Sequence, residues 1–379
     1  MIDTAKQTPL VAPARELLDR HGSSAAESRL DPMTGQWTIY SPQRIGRPEE
    51  FVEAAARIDP NLNCPFCLGN EQATPEPVWV GSISADDSSI NILKPQKTSV
   101  DERDWSVRVV PNKFPAVDPM DSDTENRGSS GLFQRKAIKG GHEVIIESRH
   151  HVHSLSDLDL AELRLVFRAY RDRLRYWRKV PGIRYLSVFK NVGVKAGASL
   201  SHSHSQLIAT DRLPSHISHS LDLMTRHRAT TGCCLLTDLI RGELKQQERV
   251  IWCGKKLIAY CPFASHLPML VRVTTLEQVG CLEDLSDKRL QSVSRIVGRV
   301  ISWLERLRPG TSYNFCLHTR PPAMDDPHDS FHWWIDIFPR MTQMAGFEWS
   351  SQCMINPILP EDAAARLRAV AQAEDPRRL

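Results

Sequence analysis

Alternating hydrophobic and polar residues predict a series of short β-strands, because successive side chains of a strand point to opposite faces of its sheet. The first strand follows a Pro-x-x-Gly turn at residues 32–35 and ends at Tyr40. The others are expected at residues 105–110, 143–148, 185–191, 203–209, 269–273, 313–318 and 331–338. Two longer stretches carry apolar residues three or four apart and predict helices over 157–179 and 286–307.

The predicted order of strand, helix, strand, turn and strand occurs twice. Aligning residues 201–204 with residues 331–334 separates the two units by about 130 residues, which suits one duplicated α+β module. We therefore expect an α+β fold in which two half-domains form one continuous, mainly antiparallel sheet with flanking helices. The expected parts are a flexible N-terminal segment at 1–28, an N-terminal half at 29–215 and a C-terminal half at 216–379.

Segments between these elements carry weaker signals. Residues 82–104 and 118–135 are rich in Ser, Asp and Asn and are expected to form loops. A short helical stretch is expected at 14–20, inside the flexible N-terminal segment.

Composition and charge exclude several classes of protein. With 41% hydrophobic and 25% charged residues, the chain of 379 residues is expected to fold as an ordinary globular protein. Its 48 Lys+Arg nearly balance its 45 Asp+Glu, and the basic residues are scattered, so no nucleic-acid partner is expected. No signal-peptide pattern and no apolar run of about eighteen residues is present, so we expect a cytoplasmic protein without a membrane partner.

The nine cysteines include one close pair, Cys64-Pro-Phe-Cys67. A redox dithiol or a chance pairing would look the same. The pair lies in a loop between Pro60 and Gly69 instead of starting a helix after a strand, and His150, His151 and His153 follow later in the chain. Two thiolates and two imidazoles can complete a closed tetrahedral zinc site, so this context favours zinc.

The run Ser-His-Ser-His-Ser-Gln at 201–206 is the strongest chemical signal. In a strand, His202, His204 and Gln206 would share one face. An exposed hairpin with incidental histidines is one alternative, and a pair of metal ligands without catalytic chemistry is another.

Taken together, these motifs resemble the galactose-1-phosphate uridylyltransferase family of the histidine-triad superfamily, particularly the branch that includes ADP-glucose phosphorylase. The resemblance covers residues 28–370. The matching segments are 31–37, 41–48, 64–67, 108–115, 142–148, 189–193, 203–206, 346–348 and 355–357. The serine form of the histidine motif is the phosphorylase-like version, and galactose-specific enzymes typically carry His-Pro-His-Gly-Gln there. The expected half-domains are therefore histidine-triad-like.

The resemblance implies a structural zinc ion and a covalent mechanism. Cys64, Cys67, His151 and His202 match the family's zinc ligands, with His150 as the competitor of His151. His204 matches the nucleophile, which attacks the α-phosphorus of a nucleotide sugar, forms a nucleotidyl-histidine and releases a sugar 1-phosphate. A second phosphate-bearing acceptor then takes the nucleotidyl group.

The chemistry of imidazole agrees with that role. A neutral histidine can attack without a separate base when a hydrogen bond fixes its tautomer. Gln206 can donate to a phosphate oxygen where charge develops. The resemblance implies further substrate contacts from Arg44, Arg47, Asn112, Asn191, Ser199 and Glu348.

Departures from the family pattern predict one zinc ion per chain. Cys233-Cys234-Leu235-Leu236 stands where a second Cys-x-x-Cys would be, and Val273–Leu276 lacks the family's histidine. His332 and one cysteine are too few ligands for a closed second site.

The resemblance also implies a homodimer.

Three functions remain open from the sequence. The leading interpretation is UMP transfer from UDP-glucose to a hexose 1-phosphate, with galactose 1-phosphate as the usual acceptor. The second is an ADP-sugar phosphorylase with inorganic phosphate as acceptor, which the serine motif and Met354 favour. The third is a non-catalytic nucleotide-binding protein, which the intact His202-Ser-His204-Ser-Gln206 argues against.

Overall fold

The computed structural model describes residues 25–46, 64–83, 90–93, 105–122, 131–324 and 330–374. The strands are β1 (Glu27–Leu30), β2 (Trp37–Tyr40), β3 (Trp79–Ile83), β4 (Ile90–Leu93), β5 (Val107–Pro111), β6 (Asp118–Pro119), β7 (Lys139–Ile146), β8 (Tyr185–Val192), β9 (His204–Thr210), β10 (Val250–Cys253), β11 (Leu257–Tyr260), β12 (Val271–Thr275), β13 (Tyr313–His318), β14 (Trp334–Pro339) and β15 (Met354–Asn356). The helices are α1 (Leu160–Arg178), α2 (Ser215–Thr231), α3 (Leu235–Gln246), α4 (Asp287–Leu307), α5 (Gly346–Ser351) and α6 (Pro360–Glu374).

One large sheet runs through both halves. Its strand order is β10-β11-β12-β14-β13-β8-β9-β7-β5-β3-β4, with β6 beside β7. Every pairing is antiparallel except β6 with β7. The two halves meet where β8 pairs with β13, and β9 and β14 flank this junction symmetrically. The expected α+β fold with a duplicated module and a continuous, mainly antiparallel sheet is therefore confirmed.

Helices α1 and α4 cover one face of the large sheet and form the main core with it. Helix α1 begins after Asp159, whose carboxylate accepts the backbone N–H groups of Ala161 and Glu162, and α4 begins after Ser286. Such caps satisfy amides that the first turn leaves unpaired. Leu163 and Phe167 of α1 are buried together with Val297 of α4. The two predicted helices are thus present, with starts set by their caps.

A second, smaller sheet joins the two ends of the described chain. Strand β2 pairs antiparallel with β1 and parallel with β15. The backbone N–H of Ser41 donates to Asn356 at 3.0 Å and extends this contact. Ser41, directly after β2, is therefore held beside the C-terminal half of the chain.

Two predicted strand starts and one predicted loop differ from the structure. The strand expected at 269–273 begins at Val271, because Met269 has a φ of 57°, which extended backbone does not allow. The strand expected at 331–338 begins at Trp334. The loop expected at 82–104 contains β4, which pairs with β3.

Two further differences concern the N-terminal segment and the helices α2 and α3. The helical stretch at 14–20 lies outside the described residues, and β1 begins at Glu27, inside the segment expected to be flexible. Helices α2 and α3, which precede β10, were not predicted. Within the described ranges, no helix has both the length and the apolarity needed to cross a membrane.

Gly141 on β7 provides a test of the packing between sheet and helix. A Cβ at this position would lie 2.0 Å from the Trp177 ring at the end of α1. We expect Gly141→Ala to destabilise the protein by about 1–3 kcal/mol, because a rigid ring must move. Thermal unfolding followed by calorimetry measures the loss.

Gly242 in α3 is the matched control, since no atom lies within 4 Å of a Cβ added there. Gly242→Ala should leave the unfolding temperature unchanged or raise it, because alanine favours helix. Equal unfolding temperatures for the two variants would contradict this account.

Candidate active site and metal centre

The histidine motif lies at the start of β9, on the sheet face opposite α1 and α4. Leu207 and Ala209 point into the main core, so alternation turns His204 and Gln206 to the other face. There the paired residues Val144 and Ile146 of β7 pack with other buried side chains in a separate cluster. That cluster includes Cys64 and Phe66, which places the Cys-Pro-Phe-Cys loop over the histidines.

Four candidate metal ligands come together beside this face. The ligand atoms of Cys64, Cys67, His151 and His202 all lie within 4.8 Å of one another. The Nδ1 of His202 lies 3.5 Å from both sulfur atoms, and the Nδ1 of His151 lies 3.4 Å from the Sγ of Cys67. His150 is exposed and lies outside the cluster. The structure therefore favours His151 over His150.

Hydrogen bonds orient both imidazoles with Nδ1 toward the sulfurs. The Nε2–H of His202 donates to the carbonyl of Ser148 at 2.9 Å, and the Nε2 of His151 lies 3.0 Å from the Ser201 hydroxyl. Burial lowers the pKa of His202 to about 4, so its ring is neutral at pH 7. A neutral ring held by an outer hydrogen bond is the form that ligates metal.

The thiols also fit a zinc ion. Burial, together with the neighbouring Cys64, raises the pKa of Cys67 to about 11. Without a cation this thiol stays protonated, and binding zinc would release its proton. Two sulfurs and two ring nitrogens match the donor set of a closed tetrahedral site. Cys64, Cys67, His151 and His202 would hold the ion.

The loop that carries the cysteines is fixed independently of the cluster. The Asn70 side chain donates to the Cys64 carbonyl at 2.8 Å. The backbone N–H of Leu68 donates to Arg149 at 3.1 Å, which joins this loop to the segment before His151. The site is therefore largely preformed by the backbone.

His204 is buried and has a defined tautomer. Its Nδ1–H donates to the carbonyl of His202 at 2.7 Å, which leaves the lone pair on Nε2. Burial lowers its pKa, so the ring is neutral near pH 7. Phe66, between the two cysteines, contacts the rings of His202 and His204 at centroid distances of 5.9 and 5.3 Å. The His202 carbonyl and the Phe66 ring thus connect His204 to His202, one of the four candidate metal ligands.

Strand alternation explains only in part why His202 lies with the cysteines while His204 lies apart from them. We expected His202, His204 and Gln206 in one strand, but β9 begins at His204 and His202 lies in the bend before it. The bend lets His202 reach the cysteines while its carbonyl accepts the hydrogen bond from His204.

His142, a residue without an assigned role in the sequence analysis, lies between Gln206 and Asn112 and contacts both side chains. The Nε2 of His142 lies 2.8 Å from the Gln206 Oε1 and 3.0 Å from the Asn112 Nδ2. The backbone N–H of Ala116 donates to its Nδ1 at 3.2 Å, so Nε2 carries the proton and donates to Gln206. The Gln206 amide nitrogen is thereby oriented as a donor.

A buried ion pair lies directly beneath the histidine motif. Lys190 of β8 donates to Glu147 at 2.5 Å, to the Ser203 hydroxyl at 2.8 Å and to the His204 carbonyl at 3.1 Å. Glu147 also accepts from Ser203 at 2.6 Å and from Ser205. Burial alone would raise the pKa of Glu147, but Lys190 and the hydroxyls hold it below its ordinary value. The carboxylate is therefore ionised.

This ion pair was missed, although the sequence contains a signal for it. Leu186, Val188 and Lys190 occupy alternate positions of β8, so the lysine shares the apolar face. A lysine at such a position requires a buried acceptor. Ser203 and Ser205 alternate with the histidines and supply the hydroxyls on that face.

Asn191 lies near the end of β8, and Ser199 lies in the turn that leads to β9. The Asn191 Oδ1 accepts from Asn314 of β13 at 2.8 Å, across the junction of the halves. Ser199 is exposed. Gly193 has a φ of 79°, and a Cβ there would meet the Ser312 Oγ at 2.2 Å, so the turn requires glycine.

The remaining predicted substrate residues lie elsewhere. Arg44 is exposed in a short 3-10 helix, Pro42–Gly46, after β2, and Arg47 lies outside the described residues. Glu348 is buried, and its carboxylate accepts the Ala345 N–H at 3.0 Å at the start of α5. In the described part of the chain, no hydrogen bond or ring contact joins Arg44 or Glu348 to His204 or Gln206. Their substrate contacts stay predictions.

In the second half, His332 contacts hydroxyl groups. Its Nε2 lies 3.1 Å from the Thr274 hydroxyl and 2.9 Å from that of Thr275. Among the described residues, the Cys64 cluster is the only group of three or more Cys, His, Asp or Glu that could hold a metal ion. His318 stacks on Trp334 at 4.5 Å between ring centroids. The single zinc ion stays a prediction.

Comparisons with known protein families and relatives agree on one group. A family model described as galactose-1-phosphate uridyl transferase, N-terminal domain, matches residues 18–214, and one described as a domain of unknown function (DUF4921) matches residues 133–378. The chain is 29% identical over 355 residues to ADP-glucose phosphorylase of Arabidopsis thaliana, covering 92% of this chain and 94% of that relative. It is 22% identical over 350 residues to galactose-1-phosphate uridylyltransferase of Thermotoga maritima, covering 90% and 98%.

A solved structure agrees with these relatives. The crystal structure of the Arabidopsis thaliana ADP-glucose phosphorylase with bound ADP-glucose matches with a TM-score of 0.74 at 29% identity. The match covers 91% of this chain and 99% of that chain.

Removing one partner of the buried ion pair should be costly. Lys190→Met leaves the Glu147 charge buried without a cation, and we expect the free energy of unfolding to fall by about 3–5 kcal/mol. Lys190→Met combined with Glu147→Gln should recover part of the loss, because the amide still accepts hydrogen bonds from the serines. Chemical denaturation measures both.

Lys256→Met is the control, because the salt bridge of Lys256 with Glu277 is exposed. This variant should change stability little. A Lys190→Met protein as stable as the control would show that the buried pair does not hold the site.

The metal cluster predicts one zinc ion per chain, measured by elemental analysis of the purified protein. Cys64→Ser or His151→Ala should lower the zinc content and the unfolding temperature together, because binding energy at a structural site is folding energy. Cys233→Ser and His150→Ala should retain the ion. Two tightly held equivalents in the unaltered protein, or zinc loss with His150→Ala alone, would contradict the assignment.

Proposed function

Because the chain belongs to the galactose-1-phosphate uridyl transferase family and is a nucleotidyltransferase of that family, we propose that it transfers a nucleotidyl group from a nucleotide sugar through a covalent bond to His204. The observation that carries the proposal is the 2.7 Å hydrogen bond from the His204 Nδ1–H to the His202 carbonyl. It leaves a neutral imidazole with its lone pair on Nε2, which is the form that attacks phosphorus.

The proposed reaction has two displacements at one phosphorus atom. In the first, the His204 Nε2 bonds to the α-phosphorus of the donor, and the bond from that phosphorus to the bridging oxygen breaks. The sugar 1-phosphate leaves with that oxygen. In the second, a phosphate oxygen of the acceptor bonds to the same phosphorus and the P–N bond breaks, which restores neutral His204.

Nearby residues of this chain stabilise and position these steps. Gln206, oriented through His142, donates its amide to a non-bridging oxygen as charge develops. Lys190 donates to the His204 carbonyl and holds the backbone of the nucleophile in place. Arg44, Arg47, Asn112, Asn191, Ser199 and Glu348 are the proposed further substrate contacts.

When bound, zinc supplies a structural link between the cysteine loop and His202. Because the His202 carbonyl orients His204, the cluster sets the position of the nucleophile without taking part in the displacement. This division gives His202 and His204 different roles.

Two donors are consistent with this chemistry. Transfer of UMP from UDP-glucose to galactose 1-phosphate is supported by the matching family and the relative from Thermotoga maritima. An ADP-sugar phosphorylase with inorganic phosphate as acceptor is supported by the higher identity, 29%, to the Arabidopsis thaliana enzyme and by the serine motif. The phosphate-handling residues are common to both.

Labelling without an acceptor tests the proposal and separates the donors. Protein incubated with α-³²P-labelled UDP-glucose or ADP-glucose should retain acid-labile, base-stable label with its own donor and release sugar 1-phosphate in equal amount. His204→Ala should abolish labelling and keep its zinc.

His202→Ala is the comparison variant, because it should lose zinc and stability. No label with either donor would refute covalent catalysis by His204. Equal zinc loss in the two variants would contradict the division of roles.

A further inference from the structure

A cavity of about 600 Å³ lies far from the histidine site, between α4 and the turn that joins β10 to β11. Six cationic side chains line it, namely Lys255, Lys256, Lys288, Arg289, Arg295 and Arg299. No acidic residue lines it. A chain with a formal net charge of +3 therefore places six of its 48 Lys and Arg side chains around one cavity.

Few carboxylates compensate these cations. Glu277 pairs with Lys256 and Arg289, and Glu374 lies 3.6 Å from Arg299. In the part of the chain that the structure describes, Lys255, Lys288 and Arg295 have no carboxylate within 4.0 Å; all three are exposed. Like charges placed together repel, and a bound anion relieves that repulsion.

The spacing of the cations indicates an extended anion. Lys288 and Arg295 are seven residues apart on α4, which corresponds to about 10 Å along the helix. Lys255 approaches from the turn on the other side of the cavity. A single phosphate group is too short to contact all three, whereas a chain of phosphates can, and arginine binds phosphate through two parallel hydrogen bonds.

The cavity also has an apolar wall. Trp252, Leu257 and Ile296 line it beside the cations. A Cβ on Gly254 would lie 2.5 Å from the Trp252 ring, so glycine at this turn lets the half-buried indole lie against the backbone. Apolar walls with a few placed charges are typical of small-molecule sites, and their usual volumes include this one.

This cavity is separate from the candidate active site. Strand β10 is at one edge of the large sheet, six strand positions from β9. At about 4.8 Å per position the two strands are roughly 29 Å apart. Helix α4 also covers the face opposite His204.

We propose that the cavity between α4 and the β10–β11 turn is a second binding site, for a small molecule that carries a chain of two or more phosphates. The cations bind the phosphate chain. The Trp252 wall accommodates an attached ring when the ligand is a nucleoside polyphosphate instead of inorganic polyphosphate. The proposal is independent of the covalent chemistry at His204.

Calorimetric titration of the full-length protein with inorganic tripolyphosphate tests the proposal. At low salt we expect one site whose affinity falls as salt rises, because exposed charges are screened. Lys288→Gln combined with Arg295→Gln should weaken binding at least tenfold. Arg306→Gln, on the same helix but outside the cavity, should change it less than twofold.

A second titration, with ATP, distinguishes the two sources of phosphate. Tighter binding of ATP than of tripolyphosphate, lost in Trp252→Leu, supports a nucleoside polyphosphate. Equal affinities support recognition of the phosphate chain alone. The Lys288→Gln, Arg295→Gln double variant serves as the reference in both titrations, because its candidate active site is unaltered and only the heat that it loses belongs to the cavity.

Three results would overturn the proposal. One is no binding of tripolyphosphate at low salt, and another is an equal loss of affinity in the Arg306→Gln control. The third is displacement of tripolyphosphate by a single-stranded oligonucleotide at lower concentration, which would assign the cavity to nucleic acid. Lys255→Gln, on the opposite wall, provides an independent variant if the double variant unfolds.

Discussion

The buried ion pair between Glu147 and Lys190 is the interaction on which the candidate site depends. Both side chains are fully buried, so each charge must be compensated within the protein. Glu147 follows β7, Lys190 lies on β8, and the serines they bind flank His204 at the start of β9. Three neighbouring strands therefore meet at one pair of charges. Lys190 fixes the His204 carbonyl, while the His202 carbonyl orients the imidazole.

This arrangement gives a physical reason for the serines at 203 and 205 in the histidine motif. On one face of the sheet, His204 and Gln206 are available for chemistry, and on the other face Ser203 and Ser205 bind the buried carboxylate. The two faces share a backbone, so a change on the hidden face alters the exposed one. A motif with proline and glycine at these positions cannot supply the same hydroxyls and needs a different buried partner. The alternation of residue types thus encodes a buried support as well as the proposed nucleophile.

The sequence predicted what depends on local pattern and missed what depends on distant contacts. Alternation located β8 and β9, and apolar spacing located α1 and α4. The Cys-x-x-Cys spacing with downstream histidines indicated a zinc site, and the family resemblance supplied its four candidate ligands. The choice of His151 over His150 came from the family resemblance, and the path of the loop after β7 agrees with it. Glu147, Lys190 and His142 were missed because their roles arise from strand pairing, and no single segment contains both partners of any of their contacts. Met269, with its positive φ, shows how one backbone angle moves a strand boundary that composition cannot locate.

The pairing of β8 with β13 has a consequence for how the two halves exist in one chain. A strand at the edge of a sheet presents unpaired amides and carbonyls that can recruit other chains. Here each half covers the open edge of the other, and the shared core between α1 and α4 continues across the junction. Separation of the two halves would expose the unpaired backbone amides and carbonyls of β8 and β13. The second half, whose sequence departs from the family's second metal site, therefore contributes to the first half by covering the β8 edge of its sheet.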